Sequence, residues 1–229
     1  MTYRQNISIS ILGRIVSLML LLTGSCGVVA QKVIVIEEDT IPFFRGVQVS
    51  GDLFGAGQML LNDYGQYEGA LRINLRDKWF PIVEIGYGKA DYFDEVTNIY
   101  YKTAAPYYRI GCDINLLKNK HADNRLYGGI RYAFTNYKVD LERRDLPDPV
   151  WKWESGFRID QASCSQHWFE LVVGVDAKIF GPLHLGWSVR YKRRLFHDDG
   201  DIGQTWYIPG YGIYGDTRLG GTFNVIIDI

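Results

Sequence analysis

The sequence predicts an all-β protein: an eight-stranded antiparallel up-and-down transmembrane β-barrel with a polar lumen. Three observations predict it. After the first thirty residues no 3.6-residue apolar period persists, and strict two-residue alternation takes over. The alternating runs number eight, each near the ~9–11 residues with which a tilted strand crosses a hydrocarbon core. The connections between them alternate short and long, as the periplasmic turns and external loops of membrane barrels do.

Taken in order, each run separates two faces. The first, 44–54, sets Val47, Val49, Gly51 and Leu53 against Gln48, Ser50 and Asp52. The second, 66–76, sets Tyr67, Gly69, Leu71, Ile73 and Leu75 against Glu68, Arg72, Asn74 and Arg76. In the third, 79–88, Trp79, Pro81, Val83, Ile85 and Tyr87 oppose Glu84. In the fourth, 106–116, Tyr108, Ile110, Cys112, Ile114 and Leu116 oppose Arg109, Asp113 and Asn115. The fifth, 125–135, places Leu126, Gly128, Ile130, Tyr132 and Phe134 opposite Arg125 and Arg131. The sixth, 168–179, places Phe169, Leu171, Val173, Val175, Ala177 and Ile179 opposite Glu170, Asp176 and Lys178. The seventh, 183–193, has Leu183, Leu185, Trp187, Val189 and Tyr191 across from Arg190 and Lys192. The eighth, 217–228, has Leu219, Gly221, Phe223, Val225 and Ile227 across from Arg218, Thr222, Asn224 and Asp228.

The first face carries no charge in a chain that is 22% charged. The second mixes both signs, which suits a narrow polar interior. A lone buried ion costs several kcal/mol, and pairing offsets most of that. Glu68, Arg72, Glu84, Arg109, Asp113, Arg131, Glu170, Asp176 and Arg190 are therefore expected to form a lumen network. A soluble lipocalin-like barrel would reverse the arrangement and turn the apolar face inward. Tyr67, Tyr87, Tyr108, Tyr132, Phe134, Phe169 and Tyr191 gather at one end of the strands and Trp79 at the other, as in aromatic girdles. Trp187 lies mid-strand, outside either girdle.

Short turns fall at 76–78, 117–124 and 180–182, and long connections at 55–65, 89–105, 136–167 and 194–216. An even strand count then leaves both termini in the periplasm. Arg4, Arg14, the apolar run Ile15–Leu22 and Val28-Val29-Ala30 read residues 1–30 as a signal peptide. Thr23-Gly24-Ser25-Cys26 is the rival, a lipoprotein box in which Cys26 would be lipidated. Residues 31–43 are then a periplasmic segment and 44–229 the outer-membrane barrel. Net charge moves from -1 to -3 once Arg4 and Arg14 are removed, which gives no footprint for nucleic acid. Cys112, in a strand, and Cys164, in a loop, are expected at different heights and unbridged.

Three segments look familiar together: Leu126–Phe134, Gly181–Tyr191 and Tyr207-Ile208-Pro209-Gly210-Tyr211-Gly212. With Ala30-Gln31 at the cut, the chain resembles a family of small outer-membrane β-barrel proteins from Bacteroidetes-type bacteria, one without an assigned activity. Phe223, Val225, Ile227 and Ile229 resemble the terminal recognition strand of outer-membrane proteins, with Ile229 where that pattern has an aromatic residue.

Catalytic chemistry is sparse. His121, His167, His184 and His197 show no metal spacing. His184 and Ser188, four apart on the polar face, are the one candidate nucleophile pair, for a lipid-modifying enzyme. His197-Asp198-Asp199-Gly200-Asp201 lacks the twelfth-position glutamate of an EF-hand and reads as a solvated acidic loop. Arg143-Arg144 and Arg193-Arg194 stand beside long connections, where anionic lipid groups would lie. Trp151 and Trp153, in the longest connection, are the candidates for contact with a surface partner or sugar. The sequence therefore predicts a monomeric, cofactor-free, non-enzymatic barrel with outer-membrane lipid as partner. It would have no open pore, because eight strands enclose only enough space for side chains.

Overall fold

The structure is a computed structural model in which residues 42–143 and 156–229 are described. Alternation becomes strand throughout. In chain order these are β1 (Phe44–Asp52), helix α1 (Leu53–Leu61), β2 (Tyr64–Leu75), β3 (Trp79–Asp94), β4 (Ile99–Asn115) and β5 (Arg125–Arg143). There follow β6 (Phe157–Phe180), β7 (Leu183–Asp198), the two-residue strands β8 (Tyr207–Ile208) and β9 (Gly212–Ile213), and β10 (Thr217–Asp228). β1 to β7 each pair with their sequence neighbour, and β10 pairs with both β7 and β1 to close an eight-stranded antiparallel ring. Ile229 and Val47 exchange both main-chain hydrogen bonds, at 2.8 and 3.2 Å, which secures the closure.

The short turns are where expected. In the three-residue connection between Leu75 and Trp79, Arg76 and Asp77 take left-handed φ values of 55° and 54°, closing a turn in which Lys78 N donates to Leu75 O at 3.1 Å. Asn74 holds that turn by donating its amide to Asp77 Oδ1 at 2.7 Å.

The other ends depart from expectation. β3, β4, β5, β6 and β7 run beyond the predicted ends, into the expected loops 89–105, 136–167 and 194–216. Along β5 the outward positions read Ile130, Tyr132 and Phe134, then Asn136, Lys138 and Asp140. The inward positions read Arg131, then Ala133, Thr135, Tyr137, Val139 and Leu141, all buried. Alternation continues, but the apolar residues cross from the outside to the inside. β4 does the same from Ile110 outside and Arg109 inside to Lys102 outside and Tyr101 inside. β6 does it between Leu171 and Ser163 outside, and between Glu170 and Cys164 inside. Each crossing falls at the aromatic level, beside Tyr108, Phe134 and Phe169.

Two further expectations are corrected. The connection 55–65 holds most of α1, and Leu53, predicted as strand, begins that helix. Cys164, predicted in a loop, lies in β6, buried and free, and Cys112 is free as well.

Candidate functional site: the charged lumen and its cap

Closure of the ring brings the inward residues of β2 to β7 into contact across the barrel. Arg109 lies against Glu68, against Glu84 Oε2 at 3.2 Å and against Glu170 Oε1 at 2.9 Å. Arg190 meets the same three acids, at 3.0 Å from Glu68, 2.7 Å from Glu84 and 3.5 Å from Glu170. Arg131 grips Asp113 with two nitrogens, at 2.6 and 2.9 Å, and reaches Glu84 at 3.1 Å. Arg72 continues the chain to Asp113 at 3.2 Å and Asp176 at 2.8 Å. All nine residues named from the sequence thus stand in one connected set of ion pairs, each 9% exposed or less. Fork-shaped guanidinium groups with several donors suit such shared pairing.

Glycine makes the room. Gly129 is inward on β5, and a Cβ there would meet Asp113 Oδ1 at 1.9 Å. The void left beside Glu68, Arg72, Glu84 and Arg131 is about 10 Å³.

Sequence reasoning missed the lid of this lumen. The connection between β7 and β10 folds into the barrel mouth, with Thr205, Tyr207, Ile208 and Tyr211 buried. Arg109 Nη2 donates to Gly210 O at 2.8 Å, and Lys192 Nζ donates to the same oxygen at 2.7 Å. Tyr101 donates to Tyr207 O at 2.7 Å, and Trp206 stacks on Tyr92 at 4.4 Å. Gly210 has φ 80° and rests on the Tyr107 ring, where a Cβ would meet Cγ at 2.4 Å. Tyr107 in turn donates to Glu68 at 2.8 Å, and Trp168 donates to Glu170 at 2.6 Å. The cap and the ion pairs are therefore one hydrogen-bonded body. The only signal for it was the Tyr-Ile-Pro-Gly-Tyr-Gly segment, whose glycine and proline mark a turn. Above the network, Tyr137, Val139, Leu141 and Cys164 pack with the cap in an apolar cluster, and burial pushes the Cys164 thiol up to about 11.

His184 and Ser188 do not bond to each other. His184 Nε2 lies 2.9 Å from Asp228, while Ser188 shares a 2.7 Å hydrogen bond with Thr222. Neither Glu170 nor Asp176 orients the histidine. His197 lies against Asp199, and Asp198 accepts from Gly200 N at 3.0 Å, bonds that tie the acidic loop to itself. Among the described residues no cluster of three metal-ligating side chains occurs. Arg194 pairs with Asp216 and lies over Tyr214, whereas Arg193 points outward and is exposed. Trp151, Trp153 and Arg144 fall outside the described residues.

Among solved structures the chain is similar to Neisserial surface protein A, at 11% identity over 82% of this chain and 98% of that one, with a TM-score of 0.43. It is similar to a major outer membrane protein of Thermus thermophilus, at 13% identity over 80% and 98%, TM-score 0.43. CarO of Acinetobacter baumannii matches at 12% identity over 82% and 98%, TM-score 0.40. No curated protein matches the sequence. By a match over residues 11–228, the chain belongs to the family described as "Domain of unknown function (DUF6048)".

Proposed function

We propose that this protein is a non-enzymatic integral outer-membrane barrel with a closed lumen, serving an envelope-structural or surface-binding role through its long connections. The observation that carries the reading is the switch of the apolar face along β4, β5 and β6. Below the aromatic level Leu71, Val83, Ile130 and Val173 are 46–56% exposed while Arg72, Glu84, Arg131 and Glu170 are buried. Above it the polarity is that of a protein in water. A change of solvent along one strand, from lipid to water, accounts for both halves. An inside-out lipocalin-like barrel does not account for the lower half, because its interior would have to be greasy there.

On this reading residues 1–30 are a signal peptide, 31–43 a periplasmic segment, and both termini face the periplasm. Trp151 and Trp153 are the candidates for contact with an extracellular ligand, and a monomer suffices. The ion pairs and the cap leave no route for solutes. Washed membranes treated with alkaline carbonate should retain the protein, and detergent should be needed to release it. Purified barrels in a planar bilayer should carry no stable current. Release without detergent would refute the membrane placement, and steady open-channel currents would refute the closed lumen.

A further inference from the structure

The ring is weakest where its ends meet. β1 pairs with β10 only from Gln48 to Asp52, against Asn224–Asp228. Beyond that point β10 continues along β7 as Thr217–Phe223, and β2 continues along β3 as Tyr64–Glu68, with no strand between them. Unpaired main chain facing hydrocarbon costs several kcal/mol per group, so such a seam must be covered.

Helix α1 stands in it. The Asp52 carboxylate caps the helix by accepting from Phe54 N at 3.0 Å and Gly55 N at 3.1 Å, and it also accepts from Phe223 N of β10 at 3.1 Å. On the β2 side the backbones touch, since a Cβ on Gly65 would meet Met59 N at 2.4 Å. On the β10 side α1 leaves an open groove of about 790 Å³ between Leu53 and Phe54 and the outward wall of Val175, Trp187, Val189 and Phe223. Gly221 keeps it hollow: a Cβ there would meet nothing nearer than Ser188 O at 3.7 Å. Trp187 is 68% exposed and meets the Phe223 ring edge to face, 5.2 Å away, in mid-strand outside either aromatic girdle.

We propose that this groove binds one phospholipid from the leaflet on the long-connection side, with its phosphate on Arg193 and an acyl chain along Trp187 and Val189. The proposal rests on the membrane reading above. Arg193 is exposed, outward, and in no ion pair among the described residues. It lies four residues up β7 from Val189, which at ~3.4 Å per residue along a strand tilted by ~40° is ~10 Å of depth, about a third of the ~30 Å hydrocarbon core, and its long side chain can extend further toward the phosphate level. The volume falls within the ~300–1,000 Å³ of sites that hold one small ligand, which favours a two-chain phospholipid over a many-chained glycolipid.

Phosphatidylglycerol brominated on its acyl chains, added to the purified barrel in detergent, tests it. Trp187 should be quenched, as judged by the difference from Trp187→Phe, and native mass spectrometry should count one retained lipid per barrel. Arg193→Ala should weaken binding by about tenfold, the loss expected of one charge-assisted phosphate contact. Gly221→Leu should abolish quenching while leaving the heat-modifiable mobility of the folded barrel unchanged. Unaltered binding in either variant would overturn the proposal. So would displacement of phosphatidylglycerol by an equal concentration of lipopolysaccharide. A barrel that needs detergent for release yet holds no lipid sinks the groove alone, whereas release without detergent sinks the membrane reading.

Discussion

Glu84 is the acid on which three arginines converge, from β4, β5 and β7, at 3.2, 3.1 and 2.7 Å. Its side chain is 1% exposed, so its charge has no access to water as an alternative partner. Glu84→Gln keeps the shape and removes the charge that balances Arg109, Arg131 and Arg190. Breaking a buried pair in this way costs about 3–5 kcal/mol. Glu142, which lies 3.9 Å from Arg158 with both side chains well exposed, is the control, and Glu142→Gln should cost at most about 1 kcal/mol. Urea titration of refolding into lipid vesicles measures both, and equal losses would show that the lumen pairs carry no special stability. At this scale the membership of the network was legible, because alternation decides which residues point inward. The partners were not. Arg190 and Glu84 are 106 residues apart and meet across the barrel, so their contact depends on strand stagger, which alternation does not encode. Gly210 was further out of reach, since it offers Arg109 and Lys192 a main-chain oxygen rather than a side chain.

Elements were legible where one solvent rule applied along their length. The predicted strands end close to where the apolar residues change face, at 88 in β3, 106 in β4, 135 in β5 and 168 in β6. A reading that demands one apolar face stops there, although the backbone and its alternation continue. α1 was hidden differently: Gly55 and Gly57 are poor helix formers, and nine residues are too few to fix a 3.6-residue period. The available cue was Asp52, a preferred N-cap residue, which alternation marks only as a lumen acid. Because Asp52 also holds Phe223 N, Asp52→Ala should loosen two elements together. The cap alone is worth about 0.5–2 kcal/mol. Hydrogen exchange should quicken in Leu53–Leu61 and at Phe223, with β4, β5 and β6 unchanged. Faster exchange in the helix alone would mean that the carboxylate does not join it to β10.

For the whole molecule, the switch of faces divides the barrel into two lengths, which the proposed function reads as one solvated by lipid and one solvated by water. The first has an ionic interior and the second an aromatic one, and the cap joins them through Tyr107, Arg109 and Lys192. The division makes a quantitative statement about depth. An arginine placed on a lipid-facing strand costs about 2–4 kcal/mol at the bilayer midplane and about 0–1 near the interface. Arginine replacing Leu126, Ile130, Phe134, Asn136 and Lys138 of β5, one at a time, samples that profile on a single strand. The cost of folding into vesicles should be greatest at Ile130, fall at Phe134 beside the crossing, and vanish at Asn136 and Lys138. Leu126, near the short turn, should cost less than Ile130. A barrel wholly in water would give a profile without a central peak, because Ile130 is 53% exposed and an arginine there would simply be hydrated. The peak and its decline before Asn136 therefore measure both the presence of the bilayer and the height at which the strands leave it.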